Sequence, residues 1–167
     1  TGCLAPFGYR KDPNDKNHLV VDEETAPIVR QLFAWALEGH GPNFIRRRLE
    51  EGQVPCPTWW NRQRGLRNTF TKWEQQDPEK GRYIWDFTVI KDILTNPVYT
   101  GAIASQKKEY RFKIGTIGEK RPEDWIVVEN QHEPIVDRSS FEVVQEKLRS
   151  RQRPRQNGEV SLFAGLL

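Results

Sequence analysis

Cationic side chains alternate with aromatic rings in one stretch near the middle of the chain. This stretch holds Trp59, Trp60, Arg62, Arg64, Arg67, Phe70, Lys72 and Trp73. Arginines and lysines neutralise phosphates and release counterions, whereas tryptophan rings pack on sugars or bury themselves in a core. Base stacking would require unpaired nucleotides. We therefore predict phosphate contacts for Arg62, Arg64 and Arg67, and we favour burial for the tryptophans.

A second candidate site lies on a short amphipathic helix predicted for about residues 87–95, capped by Asp86 and ended by Asn96-Pro97. One side of its helical wheel is apolar, and the other carries Thr88, Lys91, Asp92 and Thr95. A hydroxyl can meet either kind of base edge, a lysine can reach guanine, and a carboxylate accepts from cytosine. This face suits a recognition helix in the major groove. A merely solvated polar face is the alternative.

A predicted strand adds a third cationic surface. Its rings and aliphatic side chains alternate with Arg111 and Lys113, so one strand face is apolar and the other cationic. Lys107 and Lys108 lie in the adjoining turn. Such a hairpin could clasp a phosphate backbone. Lysines that block edge pairing would give the same pattern, so both interpretations stay open.

Helices must hold these sites in place. We predict a first helix after a capping Asp22, with a buried stripe at helical spacing made of Val29, Leu32, Phe33 and Ala36. A second helix is predicted for about residues 43–51, and a final helix for about residues 139–149, capped by Asp137. Residues 55–80 read as a long polar and aromatic excursion.

Short strands are predicted after the third helix. They cover residues 99–104, 110–114 and 125–129, with residues 115–124 as a turn. We therefore predict an α+β fold: a mainly helical core with a helix-turn-helix-like element, a short antiparallel β-sheet and a C-terminal helix.

Composition bounds the function only loosely. The chain has 167 residues and a net charge of +3, which suits one medium domain whose basic residues are clustered. Cys3 and Cys56 are isolated, so no zinc site can be assembled from them, and two thiols are favoured over one disulfide. No membrane-length apolar run is present, and we expect a soluble, intracellular protein. The lack of methionine indicates a piece of a longer chain.

An ordered series of short signatures runs along nearly the whole chain. They are residues 6–10 (PFGYR), residues 26–33 (APIVRQLF), Trp85 with residues 89–101 (VIKDILTNPVYTG), residues 132–137 (HEPIVD) leading into Phe141, Val144 and Leu148, and residues 161–167 (SLFAGLL). In this order they resemble the recombinase (DNA-binding) domain of the large serine recombinases, the phage integrases and transposon resolvases that rearrange DNA.

The resemblance implies sequence-specific binding of double-stranded DNA at attachment sites by a non-catalytic fragment. The family's serine nucleophile belongs to a preceding catalytic domain, and its zinc to a following zinc-ribbon domain, so no cofactor is expected here. Residues 1–17 would be the linker from the catalytic domain, residues 18–150 the recombinase domain, and residues 151–167 the linker and first strand of the zinc ribbon. Self-association would involve the parent's other domains. A bacterial, phage or transposon origin and a cytoplasmic, nucleoid-associated location follow as expectations.

The resemblance also places the first residues of the chain along the minor groove. Small residues let a backbone lie in a narrow slot, and Arg10 and Lys11 would meet its negative potential. Phe7 and Tyr9 could instead pack into the core, and the two interpretations are compatible. Two rival functions stay open for the whole chain: a protein-interaction module with a solvated basic surface, and a single-stranded nucleic-acid binder.

Overall fold

The computed structural model describes residues 4–15, 17–66, 81–105, 108–111, 116–119 and 125–151. Five α-helices lie within these residues: α1 (Ala26–Leu37), α2 (Pro42–Glu51), α3 (Pro57–Gln63), α4 (Phe87–Thr95) and α5 (Arg138–Ser150). Prolines stand in the first turn of α1, α2 and α3. They are tolerated there because the first backbone N–H groups of a helix have no intrahelical acceptor.

Six short strands of the described residues form three antiparallel pairs. Strand β1 (Tyr9–Lys11) pairs with β2 (Leu19–Val21), β3 (Ile103–Ser105) with β6 (Ile126–Val128), and β4 (Lys108–Arg111) with β5 (Thr116–Glu119). A helical core accompanied by short antiparallel pairs confirms the predicted α+β class.

The core lies where α1 packs against α2, α4 and α5. Its helical residues recur at three- and four-residue spacing, which places them on one face of each helix. The fully buried members include Val29, Leu32, Ile45, Leu49, Ile90, Leu94 and Val144. Each such side chain contributes up to about 1.5–3 kcal/mol relative to an exposed one. Helices α2 and α4 pack directly on each other, as the predicted helix pair requires, although α3 lies between them in the chain.

The last helix ties together the ends of two others. Gln145 donates through Nε2 to the carbonyl of Leu94 near the end of α4, at 2.6 Å. Lys147 donates through Nζ to the carbonyl of Leu37, the last residue of α1, at 2.5 Å. These bonds satisfy carbonyls that a helix end leaves without partners, and the lysine charge suits the negative end of the helix dipole.

Two of the predicted helices have their predicted caps. Helix α4 spans the predicted residues, and the Asp86 carboxylate accepts from the Thr88 N–H. Helix α5 begins after Asp137, whose carboxylate accepts from the Ser140 N–H at 2.8 Å. Helix α1, in contrast, begins at Ala26 and not directly after Asp22, because the Asp22 carboxylate accepts from the Thr25 hydroxyl instead of from a backbone N–H of the first turn.

The strand predictions were less accurate. Residues predicted to start a strand at Tyr99 form a 3₁₀ turn, Pro97–Thr100, since the Asn96 side chain accepts from the Val98 N–H and caps it. Gly101 then adopts a φ of 83°, and a Cβ there would lie 2.7 Å from the His132 carbonyl oxygen. Residues 116–119, predicted as a turn, form β5. The predicted excursion contains α3, and residues 67–80 and 112–115 lie outside the described residues.

Strand β1 is anchored in the core by buried polar atoms. The Tyr9 hydroxyl donates to the Glu133 carbonyl at 2.9 Å and accepts from the Ile135 N–H at 3.2 Å. The Tyr99 hydroxyl donates to the Phe7 carbonyl at 2.9 Å. Burial raises the pKa of Tyr9 to about 12, so this hydroxyl keeps its proton. The start of the described chain is therefore fixed to the segment that precedes α5.

A glycine makes this close approach of β1 possible. Gly8 has a φ of 93°, and a Cβ added to it would lie 2.9 Å from both Val29 Cγ2 and Ile135 Cδ1. Only glycine adopts this conformation readily and leaves room for both side chains.

Removing the Tyr9 hydroxyl tests the anchor. We expect Tyr9→Phe to lower the free energy of unfolding by about 1–2 kcal/mol, because the Ile135 N–H loses its acceptor in a buried site and the Glu133 carbonyl loses a donor. Urea denaturation measures the change, and Tyr83→Phe, at a ring outside this network, is the control. Equal midpoints for the two variants would show that the hydroxyl does not anchor the strand.

Candidate nucleic-acid interface

The polar face of α4 is exposed over a buried apolar face. Thr88, Lys91 and Asp92 are exposed and Thr95 is half-buried, while Ile90, Ile93 and Leu94 are buried in the core. The structure thus presents the predicted recognition face on a helix held by its opposite side.

The four polar side chains of this face are not equally available. The Thr88 hydroxyl donates to Asp86 Oδ1 at 2.5 Å, and the Thr95 hydroxyl donates to the Lys91 carbonyl at 2.9 Å. Each threonine has thus used its single proton and retains only its acceptor lone pairs. Among the described residues, no hydrogen bond or ion pair engages the Lys91 amine or the Asp92 carboxylate. Lys91 and Asp92 are therefore the groups best placed to meet a ligand.

An open groove of about 670 Å³ lies between the first described residues and the end of α3. Three of the predicted DNA-binding cations line it, two from β1 and one from the end of α3: Arg10, Lys11 and Arg64. Trp60 and Asn61 form part of its α3 side. The structure thus brings together residues that are more than fifty positions apart in the sequence.

A buried carboxylate lies beside this groove and organises two of its arginines. Asp22 is 1% exposed, and its Oδ2 lies 2.6 Å from Arg64 Nη1. The Thr25 hydroxyl donates to the same carboxylate at 2.5 Å. Arg64 also donates through Nη2 to Glu24 Oε2 at 2.7 Å. Arg10 Nε lies 3.5 Å from Asp22 Oδ1.

The electrostatic environment keeps this cluster charged. Burial alone raises the pKa of Asp22, but the hydrogen bonds from Arg64 and Thr25 and the charges of Arg64 and Arg10 outweigh it, so the pKa lies below its usual range. Burial lowers the pKa of Arg64, and its bonds to Asp22 and Glu24 reverse the effect and raise it. The Arg64 guanidinium also lies over the Trp60 ring, 5.2 Å from its centroid.

A second groove, of about 500 Å³, borders the start of α4. Arg46 from α2, Phe87 from α4 and the capping residue Asp86 line it. Arg46 Nη1 lies 3.7 Å from Glu50, one helical turn along α2. The Trp85 ring is buried beneath, and its Nε1 donates to the Val54 carbonyl at 2.9 Å. The bond from Trp85 joins the segment before α4 to the segment that follows α2.

The remaining predicted site residues lie on α3, on β4 or outside the described residues. Arg62 is half-buried on α3, and Lys108 and Arg111 are the first and last residues of β4. Arg67, Lys107 and Lys113 lie outside the described residues. Their predicted DNA contacts stay predictions.

The rings of α3 are packed, as the sequence analysis favoured. Trp59 is half-buried against the core, with the Arg82 guanidinium 4.3 Å from its ring centroid. Trp60 is half-buried and meets Trp59 edge-on at 5.3 Å. Trp73 lies outside the described residues.

Sequence reasoning missed Asp22 and Glu24 as site residues. Asp22 was predicted only as a helix cap, and Glu24 was not singled out, yet Glu24 and Arg64 meet across forty positions. An Asp three residues before a Thr at a helix start signals a local cap, and nothing in that spacing points to a distant arginine.

Three further findings concern the described residues only. No group of three or more histidine, cysteine, aspartate or glutamate side chains among them could hold a metal ion. No helix in the described part of the chain has the length and apolarity needed to cross a membrane. Cys56 is a buried thiol whose Sγ lies 3.6 Å from the Gly81 carbonyl oxygen.

A helical core with short antiparallel strand pairs, in which α4 exposes a polar face, defines a small α+β domain. The family model described as Recombinase matches residues 23–151. The chain therefore belongs to the Recombinase family, which confirms the resemblance stated from its signatures.

Known proteins similar to the chain are longer than it is. An uncharacterized protein, YefB from Bacillus subtilis (strain 168), is 42% identical over 82 residues, which cover 47% of this chain and 27% of that protein. The solved structure described as "Crystal Structure of a LSR-DNA Complex" has a TM-score of 0.50 at 21% identity, covering 93% of this chain and 35% of the other. A second, "Sequence Requirements of the Listeria innocua prophage attP site", has a TM-score of 0.48 at 20% identity, with coverages of 86% and 41%. The chain thus spans about a third or less of the length of the first relatives it matches.

The lowered pKa of Asp22 predicts a particular acid sensitivity. Because the folded pKa lies below the unfolded value of about 3.9, the ion pairs stabilise the fold fully above about pH 5 and lose that contribution as the pH falls through the folded pKa. Asp22→Asn should therefore be less stable than the unaltered chain near neutral pH, and the difference should shrink below about pH 4. Thermal melts from pH 3 to 7 measure this, with Glu23→Gln as the exposed control. A difference that stays constant over this range would contradict the prediction.

Proposed function

We propose that this chain binds double-stranded DNA in a sequence-specific manner at the attachment sites of site-specific recombination. The observation that carries the proposal is the exposed polar face of α4, with Lys91 and Asp92 engaged by no partner among the described residues. Membership of the Recombinase family supports it, as does the DNA named with the structure that has a similar fold.

In this proposal α4 enters the major groove. The Lys91 amine reaches guanine O6 and N7, and the Asp92 carboxylate accepts from a cytosine amino group. Phosphates would repel Asp92, so its position on the reading face favours a base contact over a backbone contact. The Thr88 and Thr95 hydroxyls, whose protons are already donated, can only accept, which suits the amino groups of adenine and cytosine.

Phosphate contacts position the domain on the duplex. Arg10 and Lys11 lie on β1 beside the larger groove, and the side chain of Arg10 is 57% exposed. Arg62 on α3 and the cations of β4 are the further candidates from the sequence. Such contacts supply affinity that depends on salt and carries little sequence information.

The chain acts in this proposal as a non-catalytic domain. Strand cleavage, zinc binding and self-association are assigned to other parts of a longer parent protein, which acts in the cytoplasm on DNA. The larger groove holds Arg10 and Lys11, whose side chains suit the recognition of a polyanion.

A titration against duplexes at two salt concentrations tests the proposal. With about six phosphates contacted, log K should fall against log salt with a slope near −5. Negligible affinity at either concentration would favour a protein-interaction module. Tighter binding of a single strand than of the duplex of the same sequence would favour the single-stranded rival.

Two lysine substitutions separate reading from positioning. Lys91→Ala should lose about 1–3 kcal/mol of discrimination between the cognate site and one with the contacted base pair changed. Lys11→Ala should weaken binding to both sites equally and reduce the salt slope by about one. Competition titrations measure both. Equal effects of the two substitutions on the two sites would refute this division of roles.

A further inference from the structure

We infer that Arg64 is a positioning residue: its ion pair with buried Asp22 fixes α3 and orients Arg10 toward the phosphate backbone, and Arg64 itself does not contact phosphate. This inference rests on the proposed function, since it concerns how the same surface meets DNA. It revises the phosphate contact that the sequence predicted for Arg64.

The bonds of Arg64 are directed into the protein. Its two terminal nitrogens lie 2.6 Å from Asp22 and 2.7 Å from Glu24, and its guanidinium plane lies over the Trp60 ring. The side chain is 23% exposed. A phosphate that displaced the Asp22 carboxylate would leave it charged and without its main donor in a buried site. The N–H donors of Arg64 that remain lie beside two carboxylates, whose negative charge repels a phosphate.

The Asp22 carboxylate is itself fixed by the backbone. The backbone N–H of Asp22 donates to the Gly8 carbonyl at 2.9 Å, and the backbone carbonyl of Asp22 accepts from the N–H groups of Thr25 and Ala26. These bonds hold Asp22 between the strand that carries Arg10 and the first turn of α1. Arg64 therefore links α3 to a point that is rigid relative to Arg10.

Arg10 and Arg64 relate to the carboxylate in different ways. Arg64 donates hydrogen bonds, whereas Arg10 Nε lies 3.5 Å from Asp22 Oδ1, and that oxygen has no hydrogen-bond partner among the described residues. Arg10 is held near Asp22 by charge, and more than half of its side chain stays exposed. Arg10 is thus oriented at the edge of the groove while its terminal nitrogens stay available to a phosphate.

A positioning role of Arg64 and a direct phosphate contact by Arg64 predict opposite changes in DNA affinity when Asp22 is replaced by Asn. Asp22→Asn removes a negative charge beside the DNA surface, so simple electrostatics predicts tighter binding. Loss of positioning predicts weaker binding. Arg64→Lys keeps the charge but loses the two-pronged geometry that bridges Asp22 and Glu24. A phosphate contact would survive this change largely intact, whereas a positioning bridge would not.

The experiment measures duplex affinity over a range of salt concentrations for the whole chain and its variants. We expect Asp22→Asn and Arg64→Lys each to bind roughly tenfold more weakly. For each variant the slope of log K against log salt concentration should also become shallower by about 0.9, which is the change expected of Arg10→Ala. Adding Arg10→Ala to either variant should then cause no further loss of slope. Glu23→Gln, which makes the same charge change as Asp22→Asn at an exposed neighbour, should bind at least as tightly as the unaltered chain.

The slope separates positioning from instability, because a smaller folded fraction lowers the affinity without changing the number of phosphates contacted. If circular dichroism shows that Asp22→Asn does not fold, Arg64→Lys provides the same test. Unaltered affinity and slope in Arg64→Lys, or tighter binding by folded Asp22→Asn, would overturn the inference while leaving the proposed function intact. Absence of duplex binding by the unaltered chain would overturn the proposed function and the inference with it.

Discussion

Burying the Asp22 carboxylate is the constraint on which the cation-lined side of this domain depends. A carboxylate removed from water is tolerated only when charged partners and hydrogen bonds replace its hydration. Here the Arg64 guanidinium and the Thr25 hydroxyl supply them, at 2.6 and 2.5 Å. Satisfying one buried charge therefore sets the position of α3 relative to α1. It also leaves Arg10 at the rim of the groove that both arginines line.

On the opposite side of β1, buried neutral groups also have the hydrogen-bond partners that burial requires. Tyr9 and Tyr99 are buried, and each hydroxyl finds a backbone carbonyl far away in the sequence. His132 completes this network, with Nε2 2.7 Å from the Val98 oxygen and its ring edge-on to Tyr9. Strand β1 is thus fixed on one side by aromatic hydroxyls and on the other by an ion pair. These contacts give the three-residue strand β1 a rigidity that its backbone hydrogen bonds to β2 alone cannot provide.

Local patterns in the sequence predicted the helices well because helical periodicity and capping are local properties. Helix α4 and its Asp86 cap were predicted to the residue, and α5 within one residue at each end. Helix α3 was missed, since its short run of rings and cations has no apolar stripe. The strand expected at Tyr99 failed because one asparagine cap favoured a 3₁₀ turn. The role of Arg64 was beyond sequence reasoning, because its acidic partners lie about forty residues earlier.

The basic residues of this domain are therefore not interchangeable. Arg64 has two carboxylates and a ring as partners, and the four charges of Arg10, Arg64, Asp22 and Glu24 sum to zero. A neutral cluster adds little to long-range attraction for a polyanion, but it can present one guanidinium in a fixed place. On α4, by contrast, Lys91 and Asp92 stand side by side without such partners among the described residues. Adjacent opposite charges would also weaken a purely electrostatic attraction to DNA. On both surfaces, DNA binding would therefore depend more on the geometry of the side chains than on net charge. That agrees with a net charge of only +3 in a domain proposed to choose among DNA sequences.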